Sequence, residues 1–230
     1  MKIITLMPTR GLIFTKTQQA LEEELLHNDQ IPFILRTDNL PIPDCRNKLV
    51  ENALQIPEWT HALLIDDDVI MPPRGLQYLI EVNTDIAVID YPMHHTGEKW
   101  GDMGTATYDY WLPGQDWGDK PLAWGGLGCA LVKREVFEKL SKPWFDDFGR
   151  TFDRDDDGKI TLHSKKIDIG GGGEDVYFML KAKEAGFSIK QAKGVAGHAR
   201  IVRTVGALTQ GKYSKVHRIA VNSRIERPYR

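Results

Sequence analysis

Cysteine and long apolar runs are both scarce in this chain. Its two cysteines, Cys45 and Cys129, lie far apart in sequence, so they suggest neither a disulfide framework nor a metal knuckle and favour a reducing compartment. No apolar run reaches membrane-spanning length, and the N-terminus lacks a signal-peptide profile. We therefore expect a cytoplasmic protein without a transmembrane segment; for a virus-encoded chain this would be the host cytoplasm.

Net charge is also small, at −2 over 230 residues, so no overall field points to nucleic acid or membrane as a partner. The charge is unevenly distributed, because the last thirty or so residues are strongly basic and contain a single acid, Glu226. We expect residues 201–230 to form a basic C-terminal arm. A chain of this length that is 41% hydrophobic can bury one substantial core as a single domain.

Apolar periodicity predicts alternating strands and helices over the first ninety residues. Strands are expected at 2–7, 33–37, 61–65 and 86–90, with helices at 16–26, 44–56 and 74–82 between them. Strands separated by helices imply parallel pairing with right-handed crossovers. The sequence therefore predicts an α/β fold with a mostly parallel twisted sheet flanked by helices.

Three consecutive carboxylates, Asp66, Asp67 and Asp68, follow the apolar strand 61–65. Ligands bind at the carboxyl ends of strands in open α/β sheets. Carboxylates there suit a hard cation such as Mg²⁺ or Mn²⁺, with substrate phosphates completing its coordination. The alternative is a solvated acidic turn.

Aromatic residues are scattered among Gly, Asp and Pro from Tyr91 to Trp124. They either cap the core or line a pocket for a sugar or a base. Gly125 and Gly126 then lead into an apolar strand, where missing side chains would let the backbone approach a ligand closely.

Residues 153–160 match the first part of a calcium-binding loop, with acids at positions one, three and five and Gly158 at position six. The twelfth position is Ser164, where a bidentate Glu is required, and flanking helices are not predicted. A hairpin turn at Asp157 and Gly158 is the preferred interpretation, and no calcium is assigned.

Four glycines at 170–173 precede Glu174 and Asp175, which open a predicted helix. The helix dipole alone can explain acids there, but a glycine-rich approach to a carboxylate also suits a catalytic base. The dipole would keep Asp175 ionised and weakly basic. His198, after a further strand, is either structural or a metal ligand.

In this order, the motifs resemble those of a glycosyltransferase of the GT-A fold, a Rossmann-like fold, and are closest to the inverting family 2 type. The resemblance covers about residues 1–200 and implies a nucleotide-binding half at 1–92 and an acceptor and catalytic half at 93–200. Its motifs are Pro8-Thr9-Arg10, Asp38, Arg46-Asn47, Asp66-Asp67-Asp68 as the Asp-x-Asp motif, 126–132 with the following 133–137, Glu174-Asp175 and His198.

The resemblance implies a role for most of these positions, although none is assigned to residues 127–137. The nucleoside would lie near Pro8, Thr9, Arg10 and Asp38, with Arg46 and Asn47 also near the nucleotide. Asp66 and Asp68 would engage ribose and metal, His198 would complete the shell of Mn²⁺ or Mg²⁺, and Asp175 would act as the base. Glu174 is the alternative base. Asp67 is the alternative metal ligand and otherwise belongs to the donor-binding residues. Asp68 is preferred as the metal ligand because side chains alternate between the two faces at the end of a strand. Trp124, Gly125 and Gly126 would form an acceptor or sugar loop.

The implied donor is a nucleoside-diphosphate sugar, with a UDP-sugar expected, and transfer would invert the anomeric centre. The acceptor would be a saccharide, a protein, a lipid carrier, or a hydroxymethylated base in viral DNA, since the basic arm suits an anionic partner. A Mg²⁺-dependent nucleotidyltransferase is one alternative, although the loop after the first strand lacks its repeated glycines. The other is a non-enzymatic sugar- or calcium-binding module.

Overall fold

A computed structural model describes residues 1–9, 13–30, 34–37, 40–94, 103–105, 107–109, 112–113, 124–146, 153–154, 160–162, 165–167, 173–205 and 215–222. Strands and helices alternate along the first ninety residues, as the periodicity predicts. These elements are β1 (Ile3–Pro8), α1 (Thr15–His27), β2 (Ile34–Thr37), α2 (Ile42–Leu54), β3 (His61–Ile65), β4 (Val69–Ile70), α3 (Gly75–Glu81) and β5 (Ile86–Asp90).

Among the described residues, the second part of the chain contributes short strands, two helices and a long hairpin. Its elements are β6 (Pro92–His94), β7 (Met103–Thr105), β8 (Thr107–Asp109), β9 (Leu112–Pro113), β10 (Trp124–Gly125), β11 (Cys129–Lys133), α4 (Arg134–Lys139), β12 (Asp153–Arg154), β13 (Ile160–Leu162), β14 (Lys165–Ile167), α5 (Glu174–Glu184), β15 (Ile189–Val195), β16 (Gly197–Val205) and β17 (Lys215–Asn222).

The central sheet has six strands in the order β15-β5-β11-β3-β1-β2. Parallel pairing was expected between strands separated by helices, and β1 with β2, β1 with β3 and β15 with β5 are parallel. β11 runs antiparallel to both β3 and β5, and the chain enters it from β10 and a turn. The mostly parallel α/β sheet is therefore confirmed, with one reversed strand at its centre.

Helices cover both faces of this sheet and enclose two apolar layers. Alternate residues of a strand point to opposite faces, so Ile4 and Leu6 of β1 pack with α2, α4 and α5, while Ile3 and Met7 pack with α1 and α3. On the first face, Phe178 of α5 stacks on both Phe137 and Phe145, with ring centroids 5.6 and 4.9 Å away. This aromatic stack anchors α5 to α4 and to the segment after it.

In the C-terminal hairpin, residues 198–205 of β16 pair with residues 215–222 of β17, and β16 also pairs with β4. β16 passes through residue 200 without a break, so the predicted boundary of the basic arm falls inside a strand. The pairing with β4 brings His198 opposite Val69. The hairpin therefore begins next to the acidic turn.

β12 and β13 pair antiparallel, with Arg154 opposite Ile160, as the hairpin interpretation of the acidic loop predicts. Residues 155–159 between them, and most of the aromatic segment from 95 to 123, lie outside the described residues. Within the described part of the chain, no helix combines the length and the apolar character that crossing a membrane requires.

Candidate functional site

The acidic turn follows β3 at the carboxyl edge of the sheet. β3 ends at Ile65, and the N–H of Val69 donates to the carbonyl of Asp66 at 3.2 Å, which closes a turn over the three aspartates. The argument from strand-end alternation is therefore wrong in its premise, since these residues are not extended. The turn is held in place because the Asp66 N–H donates to the carbonyl of Gly128 at 3.1 Å.

Asp68 and His198 meet across this turn. His198 Nε2 lies 3.2 Å from Asp68 Oδ2, and both side chains are partly buried. The backbone fixes the pair, because the N–H of Ala199 donates to the Asp68 carbonyl at 2.7 Å. Asp68, rather than Asp67, is thus the aspartate that contacts His198.

The chemistry and the spacing of these two side chains suit a divalent ion. Nε2 and Oδ2 lie 3.2 Å apart, close enough for both to bind one ion, and imidazole and carboxylate are ordinary ligands of Mn²⁺ or Mg²⁺. The expected third ligand, Asp66, is engaged elsewhere, and the described residues contain no group of three or more His, Cys, Asp or Glu placed to hold a metal. The protein would supply two ligands, leaving the other positions to phosphate oxygens and water.

Arg46 is a buried residue that contacts Asp66. Its side chain is only 3% exposed, its Nη2 donates to Asp66 Oδ1 at 2.7 Å, and its Nε donates to Glu174 Oε1 at 3.1 Å. Burial alone would lower the pKa of the guanidinium, but the two carboxylates outweigh burial and raise that pKa. Arg46 was expected near the nucleotide. The structure shows it bonded to two protein carboxylates, those of Asp66 in the acidic turn and Glu174.

The first turn of α5 carries Glu174 and Asp175 in different surroundings. Glu174 is paired with Arg46. Asp175 Oδ1 accepts the N–H of Val176 at 2.8 Å, yet burial and the Glu174 charge raise the pKa of Asp175 to about 6. Sequence reasoning considered only the helix dipole, whereas burial and the neighbouring Glu174 raise the pKa and make Asp175 more basic than expected.

Tyr91 is a site residue that the sequence analysis did not select. Its hydroxyl accepts the N–H of Gly128 at 3.2 Å, and its ring meets His198 edge-on, with centroids 5.7 Å apart. Burial raises the pKa of Tyr91, and Asp66 and Asp175 raise it further, so the phenol stays protonated. The sequence did contain an indication that Tyr91 lies at the site, because Tyr91 directly follows β5 at the same edge of the sheet as Asp66.

The glycine-rich segment approaches protein atoms closely. A Cβ on Gly128 would lie 2.8 Å from Cζ of Tyr91 and 3.0 Å from Oδ2 of Asp66, and a Cβ on Gly125 would lie 2.8 Å from Cγ2 of Val88. Gly125 and Gly126 are buried, and the backbone of Trp124 pairs with Tyr108. The sequence predicted that the backbone of this segment approaches a ligand closely. At Gly125 it approaches the core instead, and at Gly128 it approaches the side chains of Tyr91 and Asp66.

The remaining donor-side positions are only partly described. Pro8 closes β1, opposite Thr37 of β2, and Thr9 is buried just beyond it. The Asp67 carbonyl accepts the N–H of Phe14 at 3.2 Å. Arg10 and Asp38 lie outside the described residues, so their nucleoside contacts stay predictions.

Asn47, next to Arg46 on α2, is occupied by backbone contacts. Its Nδ2 donates to the carbonyl of Phe145 at 2.7 Å, and its Oδ1 accepts the N–H groups of Trp144 and Phe145 at 3.0 and 3.1 Å. These bonds attach the segment after α4 to α2. The structure thus gives Asn47 a packing role instead of the expected nucleotide contact.

Replacing Asn47 with Ala is expected to lower the free energy of unfolding by about 2 to 4 kcal/mol, since three part-buried backbone groups lose their partner. Urea denaturation measures this loss. Asn52→Ala, on the exposed face of the same helix, should change stability by less than about 0.5 kcal/mol. Equal effects of the two substitutions would contradict the packing role.

Comparisons with known proteins identify the fold. No protein-family model and no curated protein matches this chain. Its structure resembles A197 from STIV, with a TM-score of 0.51 and 19% identity over 86% of this chain and 85% of A197. Two weaker likenesses are to a glycosyltransferase involved in glycosylation of the major capsid of PBCV-1 (TM-score 0.34, 15% identity, 62% of this chain and 68% of that one) and to S. aureus TarS 1–349 (0.38, 13%, 85% and 58%). The likeness to A197 supports the α/β architecture.

Proposed function

We propose that this chain is a glycosyltransferase that moves a sugar from a nucleoside-diphosphate sugar, expected to be a UDP-sugar, to an acceptor hydroxyl with inversion. The observation that carries the proposal is the composition of one sheet edge. Asp68 and His198 form a pair suited to a divalent ion, and Asp175, with its pKa raised to about 6, lies within electrostatic range of the same acidic turn.

Each residue has a chemical task in such a transfer. Asp68 and His198 would hold Mn²⁺ or Mg²⁺, which when bound stabilises the charge on the leaving diphosphate. Asp175 accepts the proton of the acceptor hydroxyl as that oxygen attacks the anomeric carbon. Glu174 is the weaker candidate for the base because its charge is paired with Arg46. A single displacement with one base inverts the anomeric centre.

The direct test is a panel of nucleoside-diphosphate sugars incubated with Mn²⁺, Mg²⁺ or EDTA, with release of the nucleoside diphosphate measured. We expect metal-dependent release from one donor, which also identifies the nucleotide and the sugar. Pyrophosphate release from a nucleoside triphosphate would instead indicate a nucleotidyltransferase. No release from any donor, together with no metal-dependent donor binding by calorimetry, would overturn the proposal.

The acceptor is identified in a second stage with the active donor. Saccharides, proteins, lipid carriers and DNA containing hydroxymethylated bases are added one class at a time. The true acceptor should accelerate release of the diphosphate and acquire the sugar. An anionic acceptor would agree with Arg200, Arg203, Lys215 and Arg218, which all occur on the hairpin strands that begin beside His198.

Transfer is expected to increase with pH through about 6 and to level off above it, because Asp175 acts in its ionised form and its pKa is raised to about 6. Below that value the rate should fall about tenfold for each pH unit. The profile of kcat/KM against pH measures the effect. A rate that stays level on lowering the pH through 6 and falls to half only near pH 4, the pKa of an ordinary aspartate, would contradict the assignment of Asp175.

A further inference from the structure

Arg46 joins two elements that both bear site residues. Asp66 begins the acidic turn after β3, and Glu174 begins α5. The guanidinium of Arg46 bonds to one carboxylate from each, at 2.7 and 3.1 Å. Each of these carboxylates is a near neighbour in sequence of a proposed acting residue: Asp66 precedes Asp68 by two positions, and Glu174 directly precedes Asp175.

The contact is rigid because the guanidinium is planar and its donors have a fixed fork geometry. Its side chain is only 3% exposed, so water cannot replace a lost partner. The helix that carries Arg46 is itself fixed, since Asn47 attaches it to the segment that contains Phe145, which stacks on Phe178 of α5. A shift of α5 relative to the acidic turn would therefore break a buried, charge-assisted hydrogen bond.

We propose that Arg46 is a positioning residue that fixes the start of α5 against the acidic turn, and so sets the placement of Asp175 relative to Asp68 and His198. This inference rests on the proposed transferase function. Arg46 acts through the two carboxylates and does not touch the reacting atoms.

A direct donor ligand would have different features. Nε and Nη2 of Arg46 are already occupied by protein carboxylates. Nη1 is buried and has no hydrogen-bond partner among the described residues, so it is not open to a donor phosphate in this arrangement. The two roles therefore predict different kinetics, because a positioning residue affects kcat and a donor ligand affects nucleotide affinity.

The test compares Arg46→Lys, Glu174→Gln and the double variant with the wild-type protein. Lysine keeps the charge but replaces the planar fork of the guanidinium with a single ammonium that does not fix the directions of its two bonds, and glutamine keeps the shape of Glu174 without its charge. We expect kcat to fall about 10- to 100-fold in Arg46→Lys, the effect of a misplacement of about 1 Å, with the Kd of the nucleoside diphosphate within about twofold of wild type. The double variant should lose little more than the worse single variant, since both substitutions break one link.

Arg134→Lys is the matched control. Arg134 begins α4, donates to the carbonyls of Ile56 and Leu54, and lies over the Trp59 ring at 4.8 Å, away from the acidic turn. It should lose thermal stability while kcat stays at the wild-type value. This separates a general packing loss from a positioning loss, and Glu174→Gln still tests the link if Arg46→Lys folds poorly.

Several results would overturn the inference. An unchanged kcat with nucleotide affinity at least tenfold weaker in Arg46→Lys would make Arg46 a donor ligand, and multiplicative losses in the double variant would mean that the two residues act independently. Failure of the proposed function is distinct, because the wild-type protein would then neither hydrolyse nor bind any donor. An active wild type with an unaffected Arg46→Lys variant would overturn only the role of Arg46.

Discussion

Asp175→Asn is expected to lower the rate of sugar transfer about a thousandfold, within the range of about 10² to 10⁴ that a positioned general base contributes. Asparagine has nearly the same shape and can still accept the N–H of Val176 through its amide oxygen, so the start of α5 should be preserved. It cannot accept the proton of the acceptor hydroxyl. Single-turnover measurements with saturating donor and acceptor would report the chemical step directly.

The stability of this variant provides an independent check of its folding. The pKa of Asp175 is raised to about 6, above the value of about 4 for an unfolded aspartate. Its stabilising contribution is therefore greatest below pH 4 and is lost as pH rises through 6. Because asparagine does not ionise, the melting temperature of Asp175→Asn should rise relative to wild type over this interval. A folded variant that transfers sugar at the wild-type rate would contradict the assignment.

Asp85→Asn is a control with the opposite sign. Burial would raise the pKa of Asp85, but hydrogen bonds from Ser188 and Lys133 hold it at about 2. Its stabilising contribution is present above about pH 4 and is lost as pH falls through 2. Asp85 lies at the opposite edge of the sheet, just before β5. Asp85→Asn should therefore lower stability at neutral pH and leave kcat unchanged.

The strands and helices of the first half were predictable because each is specified by local periodicity. β1, β3 and β5 are apolar runs bounded by polar or turn residues, and their residues fill both apolar layers. The direction of β11 was harder to predict from the sequence. It depends on how the preceding segment returns to the sheet, and the apolar run 129–132 reads the same in either direction.

The neighbours Arg46 and Asn47 show how far a motif can be interpreted. Successive helix residues point about 100° apart, so two adjacent polar side chains on α2 generally have different partners. One reaches the acidic turn and the other holds the segment after α4. The sequence identified both positions as important, whereas their partners depend on contacts with residues 20 to 128 positions away.

The electrostatics of Asp175 depend in the same way on tertiary structure. Sequence reasoning could take account of the helix terminus, which lowers the pKa of an acid. It could not take account of burial or of the distance to Glu174 and Asp66, and these raise the pKa. Tyr91 was missed for a related reason, since its contacts with Gly128 and His198 join segments that are remote in sequence.

Removing either side chain of the proposed metal pair is expected to reduce metal-dependent binding of the nucleoside diphosphate by at least about 100-fold, since loss of an outer partner of a ligand alone costs about 10- to 100-fold. Asp68→Asn keeps the carbonyl contact with Ala199, and His198→Gln keeps the pairing of β16 with β4, so both variants should fold. Titration of Mn²⁺ in the presence of the nucleoside diphosphate, followed by the signal of free Mn²⁺, measures the loss.

His61→Gln, at the start of β3 and far from the acidic turn, is the matched control and should bind as wild type does. Unchanged Mn²⁺ affinity in both Asp68→Asn and His198→Gln would show that their 3.2 Å contact is only a hydrogen bond between β16 and the turn, and any transfer activity would then depend on other groups to neutralise the diphosphate.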